Sequence, residues 1–163
     1  MLDTNRYQKM HNALASFVSS LQERGLVDLN LVGDSEEHFN NRLKIQKYVY
    51  LAKYYGLDMQ YDYNMYRHGP YSPKLAEDYY ILAKNPRLYA NRTSLDIPNE
   101  FFESISNKNI EWLEVASTLL SLRRFFTDRE SLLERAANMK EHIASETIGS
   151  VLMNLECIKL INF

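Results

Sequence analysis

Apolar side chains recur at three- and four-residue steps along most of this chain, the spacing that lines one face of an α-helix. Tyr7, Met10, Leu14, Phe17, Val18 and Leu21 form the first stripe, in a helix that Thr4 can cap and that runs to about Arg24, with Gly25 as its stop. A loop through Gly33 follows. Asp34 or Ser35 is placed to cap a second helix, with Glu36 and Glu37 at its electropositive start. Phe39, Leu43, Tyr50, Leu51 and Tyr54 are carried on it, Gly56 ends it, and Arg42, Lys44, Lys47 and Lys53 decorate its other sides. From Gln60 to Tyr66 the period changes to two, with Tyr61, Tyr63 and Met65 facing one way and Asp62 and Asn64 the other. This predicts one short strand, or an extended segment packed on helices. His68-Gly69-Pro70 then reads as a turn, and Ser72 before Pro73 as the N-cap and first residue of a helix bearing Leu75, Tyr79 and Leu82, closed by Asn85-Pro86.

Residues 86–97 are polar and read as a loop, the best place in the chain for a mobile segment. Pro98 can start a short helical turn carrying Phe101, Phe102 and Ile105. The stretch from Ile110 to Phe126 is apolar on nearly all sides, interrupted by Glu114, Ser117, Thr118 and Ser121, which predicts a central helix. Two shorter helices follow. Thr127 or Asp128 caps the one with Leu132, Leu133, Ala136 and Met139, and Ser145 the one with Ile148, Val151, Leu152 and Leu155. The expected fold is mainly α: a compact single domain over residues 1–163, of about six to eight helices with at most one short strand or hairpin.

Charge alters this picture by its distribution. The net charge of −2 argues against wholesale nucleic-acid or membrane binding, yet residues 41–93 carry nine basic and four acidic side chains, while 128–163 carry four and six. An anion-binding surface is therefore expected in the centre of the chain. Eleven of the twelve tyrosines also fall there, between Tyr48 and Tyr89. Tyrosine pairs a large ring with a polar hydroxyl and suits half-wet grooves and interfaces. Cys157 is the only cysteine, so an intramolecular disulfide is impossible and a reducing compartment is the default. Among Leu155, Ile158 and Leu160 it reads as an inert small hydrophobe. No apolar stretch approaches the ~18–20 residues of a membrane span, and the N-terminus lacks a signal pattern, so the expected location is cytoplasmic.

The run Arg67-His68-Gly69-Pro70-Tyr71-Ser72-Pro73 concentrates the candidate chemistry. Arg67, His68 and Tyr71 beside a glycine that exposes backbone could hold an anion or a peptide carboxylate. His68 could instead act as a general base. The structural alternative is that Gly69-Pro70 makes the turn, Ser72 caps, and His68 and Tyr71 pack among the tyrosines. No third member of a nucleophile–base–orienter set is apparent, and Ser72 lacks a Gly-x-Ser-x-Gly context. His11, His38, His68 and His142 are widely separated and show no metal-ligand spacing; Glu36-Glu37-His38 reads as a charged helix start. No Gly-rich phosphate loop is present, and no cofactor is implied. The C-terminal helix pair, joined through Glu141-His142-Ile143-Ala144-Ser145, has a helix-turn-helix look. Its second helix offers Asn154 flanked by Glu146 and Glu156, which favours packing over base readout.

The segment Arg42-Leu43-Lys44-Ile45-Gln46-Lys47-Tyr48-Val49-Tyr50-Leu51-Ala52 resembles the LQK-x-VYLA helix of YwgA-like bacterial and archaeal proteins. Tyr66-Arg67-His68-Gly69-Pro70-Tyr71-Ser72-Pro73-Lys74-Leu75 resembles their Y-x-x-GPYS-x-x-L turn. The same motif pair, in looser form, marks the Panacea domain of the SocA and GepA type. The resemblance covers about residues 39–83 and extends more weakly to Trp112-Leu113-Glu114 and the helix that follows. It implies a helical, non-catalytic interaction domain of the antitoxin or protease-adaptor kind, and it singles out Leu43, Gln46, Lys47, Gly69, Pro70, Tyr71, Ser72 and Leu75. The chain departs from the Panacea pattern in having Tyr66 where a Trp-containing aromatic segment is usual.

The expectation is thus a non-catalytic domain that binds a protein partner, such as a toxin or a protease substrate, through a basic tyrosine-rich surface. Arg67, His68, Gly69, Pro70, Tyr71 and Ser72 would lie at its centre, with Tyr66, Tyr50, Lys44 and Lys47 around them. Nucleic-acid binding through the same segment is the alternative, and a hydrolase-type enzyme centred on His68 the third. The amphipathic face of the first helix makes a homodimer a further possibility.

Overall fold

Side-chain caps set four of the helix starts. The structure, a computed structural model, describes residues 4–85, 87–90 and 95–163, with side chains described for 11–85, 87–88 and 95–163. It is mainly helical with one short antiparallel hairpin. Helix α1 spans Thr4–Glu23 and α2 spans Glu36–Ala52. The Ser35 hydroxyl accepts the His38 N–H at the start of α2, and a 3-10 turn, Lys53–Tyr55, carries the chain to Gly56. Helix α3, Pro73–Lys84, begins at Ser72, whose Oγ accepts from the Leu75 N–H. Asn109 and Asp128 cap α6 (Ile110–Arg123) and α7 (Arg129–Met139) in the same way. Each cap satisfies a backbone donor that the helix itself leaves open.

Five local expectations are corrected. Only Asn64–Tyr66 of the alternating segment forms a strand, β1. The Gly-Pro sequence read as a turn is its partner, β2 (Gly69–Tyr71), paired as Asn64 with Tyr71, Met65 with Pro70 and Tyr66 with Gly69. Arg67 and His68 make the two-residue turn, and Gly69, at φ +94°, takes up the left-handed conformation directly after it. Pro70 is tolerated because each strand of a two-stranded ribbon keeps an open edge. Within the expected loop 86–97, Arg87–Ala90 forms a one-turn helix, α4, started by the Leu88 N–H on the Asn85 carbonyl and packed on α1. The mobile segment expected there falls partly at 86 and 91–94, outside the described residues. Helix α5 is Asn99–Ile105 and α8 is Ser145–Cys157. Ser145 does not cap α8: Ala144 holds that position, without a side-chain bond. Cys157, expected as an inert small hydrophobe, is an exposed thiol at the last turn.

Chain contacts divide the molecule into two compact units, residues 1–63 with 72–106 and residues 64–71 with 107–163. In the first, α1 packs on α3 and α4, and α2 on α3. Leu14, Phe17, Val18 and Leu21 are fully buried; Tyr7 and Met10 of the same stripe lie outside the described side chains. Phe17 meets Phe101 of α5 at 5.5 Å between ring centres. Gly33 approaches the His38 ring so closely that a Cβ there would require the ring to shift. The carboxylate of Asp78, buried in α3, receives the Tyr61 hydroxyl at 2.7 Å and lies 3.1 Å from both His11 Nε2 and Lys74 Nζ.

A clamp within this unit joins the two sequence motifs. Gln46 of α2 donates its Nε2–H to the Ser72 carbonyl at 2.9 Å, and its Oε1 accepts the Ser72 N–H at 3.0 Å. All of these groups are buried. The Gln46 amide therefore pairs with the Ser72 main chain as a second peptide would.

In the second unit α6 is the spine, buried continuously from Leu113 to Leu120 and packed on β2, α7 and α8. The Ser117 and Thr118 hydroxyls donate to the Glu114 carbonyl, so these residues are buried without unmet bonds. Arg123 holds the C-terminal segment through two bonds to the Asn162 carbonyl, and Arg129 bonds Glu156 across α7 and α8. No helix among the described residues is long and apolar enough to cross a membrane.

Replacing the clamp by a side chain of similar shape without polar atoms, Gln46→Met, is expected to cost about 2–4 kcal/mol, because two buried main-chain groups of Ser72 lose their partners. Urea unfolding followed by circular dichroism measures it. A loss below about 0.5 kcal/mol would show that the clamp is not what holds Ser72.

Candidate functional site

The hairpin brings most of the candidate residues together. Its register puts Tyr66 and Tyr71 diagonally across one face, and their rings meet edge to face at 5.3 Å. Gly69 opposite Tyr66 leaves that face uncrowded. Tyr66 is 50% exposed, Tyr71 is partly exposed, and Arg67 at the turn is exposed. Two large rings and a guanidinium thus share one short, exposed element.

A buried polar cluster holds the turn. Lys140, at the C-terminal end of α7, is 1% exposed, yet its ammonium donates to the Arg67 carbonyl at 2.6 Å and to Glu114 Oε1 at 2.8 Å. Glu114 lies in the first part of α6. Its other oxygen, Oε2, is 3.3 Å from His68 Nδ1, and its Oε1 is 3.2 Å from His142 Nε2 in the turn between α7 and α8. Burial alone would raise the Glu114 pKa, but the hydrogen bond and charge of Lys140, aided by His68, outweigh it and hold the carboxyl below its ordinary value. The ligand atoms of His68, Glu114 and His142 all lie within 4.8 Å of one another. Two imidazoles and a carboxylate at that spacing could hold a metal ion.

Glu114, Lys140 and His142 carry this cluster, and the sequence reading did not join them to His68. The histidines are 74 positions apart and belong to no local spacing. One signal was available: Glu114 interrupts a helix apolar on nearly all sides, and a buried carboxylate requires a cation or donor.

The other candidates belong to the first unit. Ser72 is a buried cap with its main chain clamped by Gln46, which accounts for it structurally. Lys47, expected on a rim, is 1% exposed, and Tyr50 is buried as well. Both lie on a helix whose residues from Ile45 to Ala52 are all buried, so the basic positions do not form one outward face. Lys44 is partly exposed. Tyr48, Tyr61 and Tyr79 are also buried, and burial pushes the Tyr48 hydroxyl up to about 12. Tyr50 contacts the Tyr63 ring edge to face at 4.9 Å and the Tyr54 hydroxyl at 3.1 Å, with the Lys53 ammonium 4.7 Å from the Tyr50 ring centre. Of these, only Tyr54 is exposed. A groove of about 700 Å³ in the same unit is lined by Val32, Asp34, Arg42, Glu77, Tyr80 and Lys84. Its charges are mixed, and Arg42 is engaged with the Leu31 and Gly33 carbonyls. In the C-terminal helix pair, the Asn154 side-chain oxygen is buried and Ile148, Val151, Leu152 and Leu155 are covered, the arrangement of a packed helix.

Removing the carboxylate by Glu114→Gln leaves the Lys140 ammonium buried without a counter-charge, an expected loss of about 3–5 kcal/mol in denaturant unfolding. The double change with Lys140→Met should recover more than half of it. A double variant no better than the single would show that the two residues are not coupled.

No family model matches this chain, and no curated protein or solved structure is significantly similar to it.

Proposed function

We propose that the chain is a non-catalytic interaction domain that binds a protein partner through the Asn64–Tyr71 hairpin. The observation that carries this reading is the pairing of exposed Tyr66 with partly exposed Tyr71 next to exposed Arg67, on a turn whose backbone is fixed from behind by a buried lysine. Tyrosine and arginine dominate binding hot spots. A hairpin tied down before the partner arrives also loses little entropy on binding. The resemblance to the YwgA-like and Panacea motifs agrees with an antitoxin-like or adaptor-like role, the partner then being a toxin or a protease substrate. The motif residues divide accordingly: Gln46 and Ser72 hold structure, while Tyr66, Arg67 and Tyr71 are left to make contacts.

Nucleic-acid binding draws on fewer residues than the sequence suggests, because Lys47, Tyr48 and Tyr50 are buried. An enzyme centred on His68 would start from the imidazole 3.3 Å from the Glu114 carboxylate.

Affinity purification of the tagged protein from its host, with and without nuclease, tests the assignment. A nuclease-resistant partner is expected, and its affinity for purified protein should fall at least about tenfold, 1.4 kcal/mol, in Tyr71→Ala and in Arg67→Ala. Circular dichroism and melting should stay unchanged in both. Unchanged affinity would remove the hairpin from the interface. Loss of all bound material on nuclease treatment, with a steep fall of affinity with salt, would put nucleic acid first.

A further inference from the structure

We propose that His68, Glu114 and His142 form a binding site for one divalent transition-metal ion of the zinc class. The ligands come from three elements, the hairpin turn, α6 and the α7–α8 turn, so only the folded second unit assembles them. Nothing in the interaction reading requires such a site, and it stands or falls separately.

The spacing favours it. Ligand atoms about 2.1 Å from a tetrahedral ion sit about 3.4 Å from one another. His68 Nδ1 lies 3.3 Å from one Glu114 oxygen, and His142 Nε2 lies 3.2 Å from the other. The rings stand nearly perpendicular, at 79°. The three ligand atoms lie within 4.8 Å of one another, so the two imidazoles must rotate about the carboxylate that Lys140 holds to close the set.

Donor type selects the ion. Two imidazole nitrogens with one carboxylate suit zinc, cobalt or nickel, whereas magnesium and calcium prefer sites made of oxygen alone. His142 is half exposed and His68 about one third, which leaves a fourth coordination position open to solvent. An open position is the mark of an exchangeable site, in contrast to a closed structural one.

Lys140 sets the strength. Its ammonium donates to Glu114 Oε1 and so orients the carboxylate, the service that outer-shell donors give metal ligands. A carboxylate offers about four lone-pair positions, so one bond from Lys140 leaves room for a metal. The positive charge also opposes a cation, which places the affinity below that of a structural zinc finger. Coordination through His68 Nδ1 replaces its contact with Glu114 Oε2, since imidazole coordinates through an unprotonated nitrogen.

Full-length, tag-free protein stripped with a chelator is titrated with Zn²⁺ by calorimetry and with Co²⁺ by visible absorption. One equivalent of Zn²⁺ should bind, and Co²⁺ should give ligand-field bands without a thiolate charge-transfer band. His142→Ala, a change at an exposed position, should weaken Zn²⁺ at least about tenfold. In wild-type protein, Zn²⁺ should shift the imidazole NMR signals of His68 and His142 and leave those of His11 and His38 in place. Absence of Zn²⁺ binding would overturn the proposal. So would affinity unchanged in His142→Ala, shifts confined to His11 or His38, or a thiolate band lost in Cys157→Ser.

Discussion

A lysine ammonium removed from water must find charge and hydrogen bonds inside the protein, and meeting that demand organises the second unit. Lys140 reaches the Glu114 carboxylate on one side and the Arg67 carbonyl on the other. The first contact ties the end of α7 to α6; the second ties it to the hairpin turn. Ion pairs of this kind contribute little net stability compared with apolar packing, but they admit few alternative arrangements. Here that selectivity fixes the backbone of a two-stranded ribbon, which on its own would be marginal in water. The exposed rings of Tyr66 and Tyr71 inherit their fixed placement from a residue they do not touch.

Features that depend on near neighbours in sequence were the more legible ones, although Ser145 was misplaced as a cap. Ser35, Ser72 and Asp128 each announce a helix start through a side chain that reaches only two or three residues ahead, and the structure has all three caps. The buried run of α6 was equally plain, because a helix with no polar face has nowhere to go but inside. Legibility failed where two physical readings shared one pattern. Gly69-Pro70 is good turn chemistry, yet a glycine with positive φ also follows a turn, and proline can stand on an open strand edge. Lys47 reads as solvated because lysine usually is, and only packing overrides that.

The candidate site was half visible. Tyr66, Arg67, His68 and Tyr71 stood out as a local cluster of suitable residue types. Glu114, Lys140 and His142 did not, since they meet His68 and Arg67 across 46 to 74 positions and no spacing rule covers such distances. The motif pair that suggested a family resemblance mixes two roles. Gln46 and Ser72 form a peptide-like clamp, so their presence speaks for a fold; the exposed residues beside them are where recognition can vary.

Both units are discontinuous in the chain, and this orders events during synthesis. Residues 64–71 leave the ribosome well before 107–163, the segments with which they form their unit. At roughly 5–20 residues per second, the gap before Lys140 emerges lasts several seconds. Throughout it the hairpin has neither α6 nor the lysine to fix its turn, and its tyrosines are borne by an unfolded strand. A hairpin completed only by late-made residues does not reach its final geometry on nascent chains; it belongs to finished molecules alone.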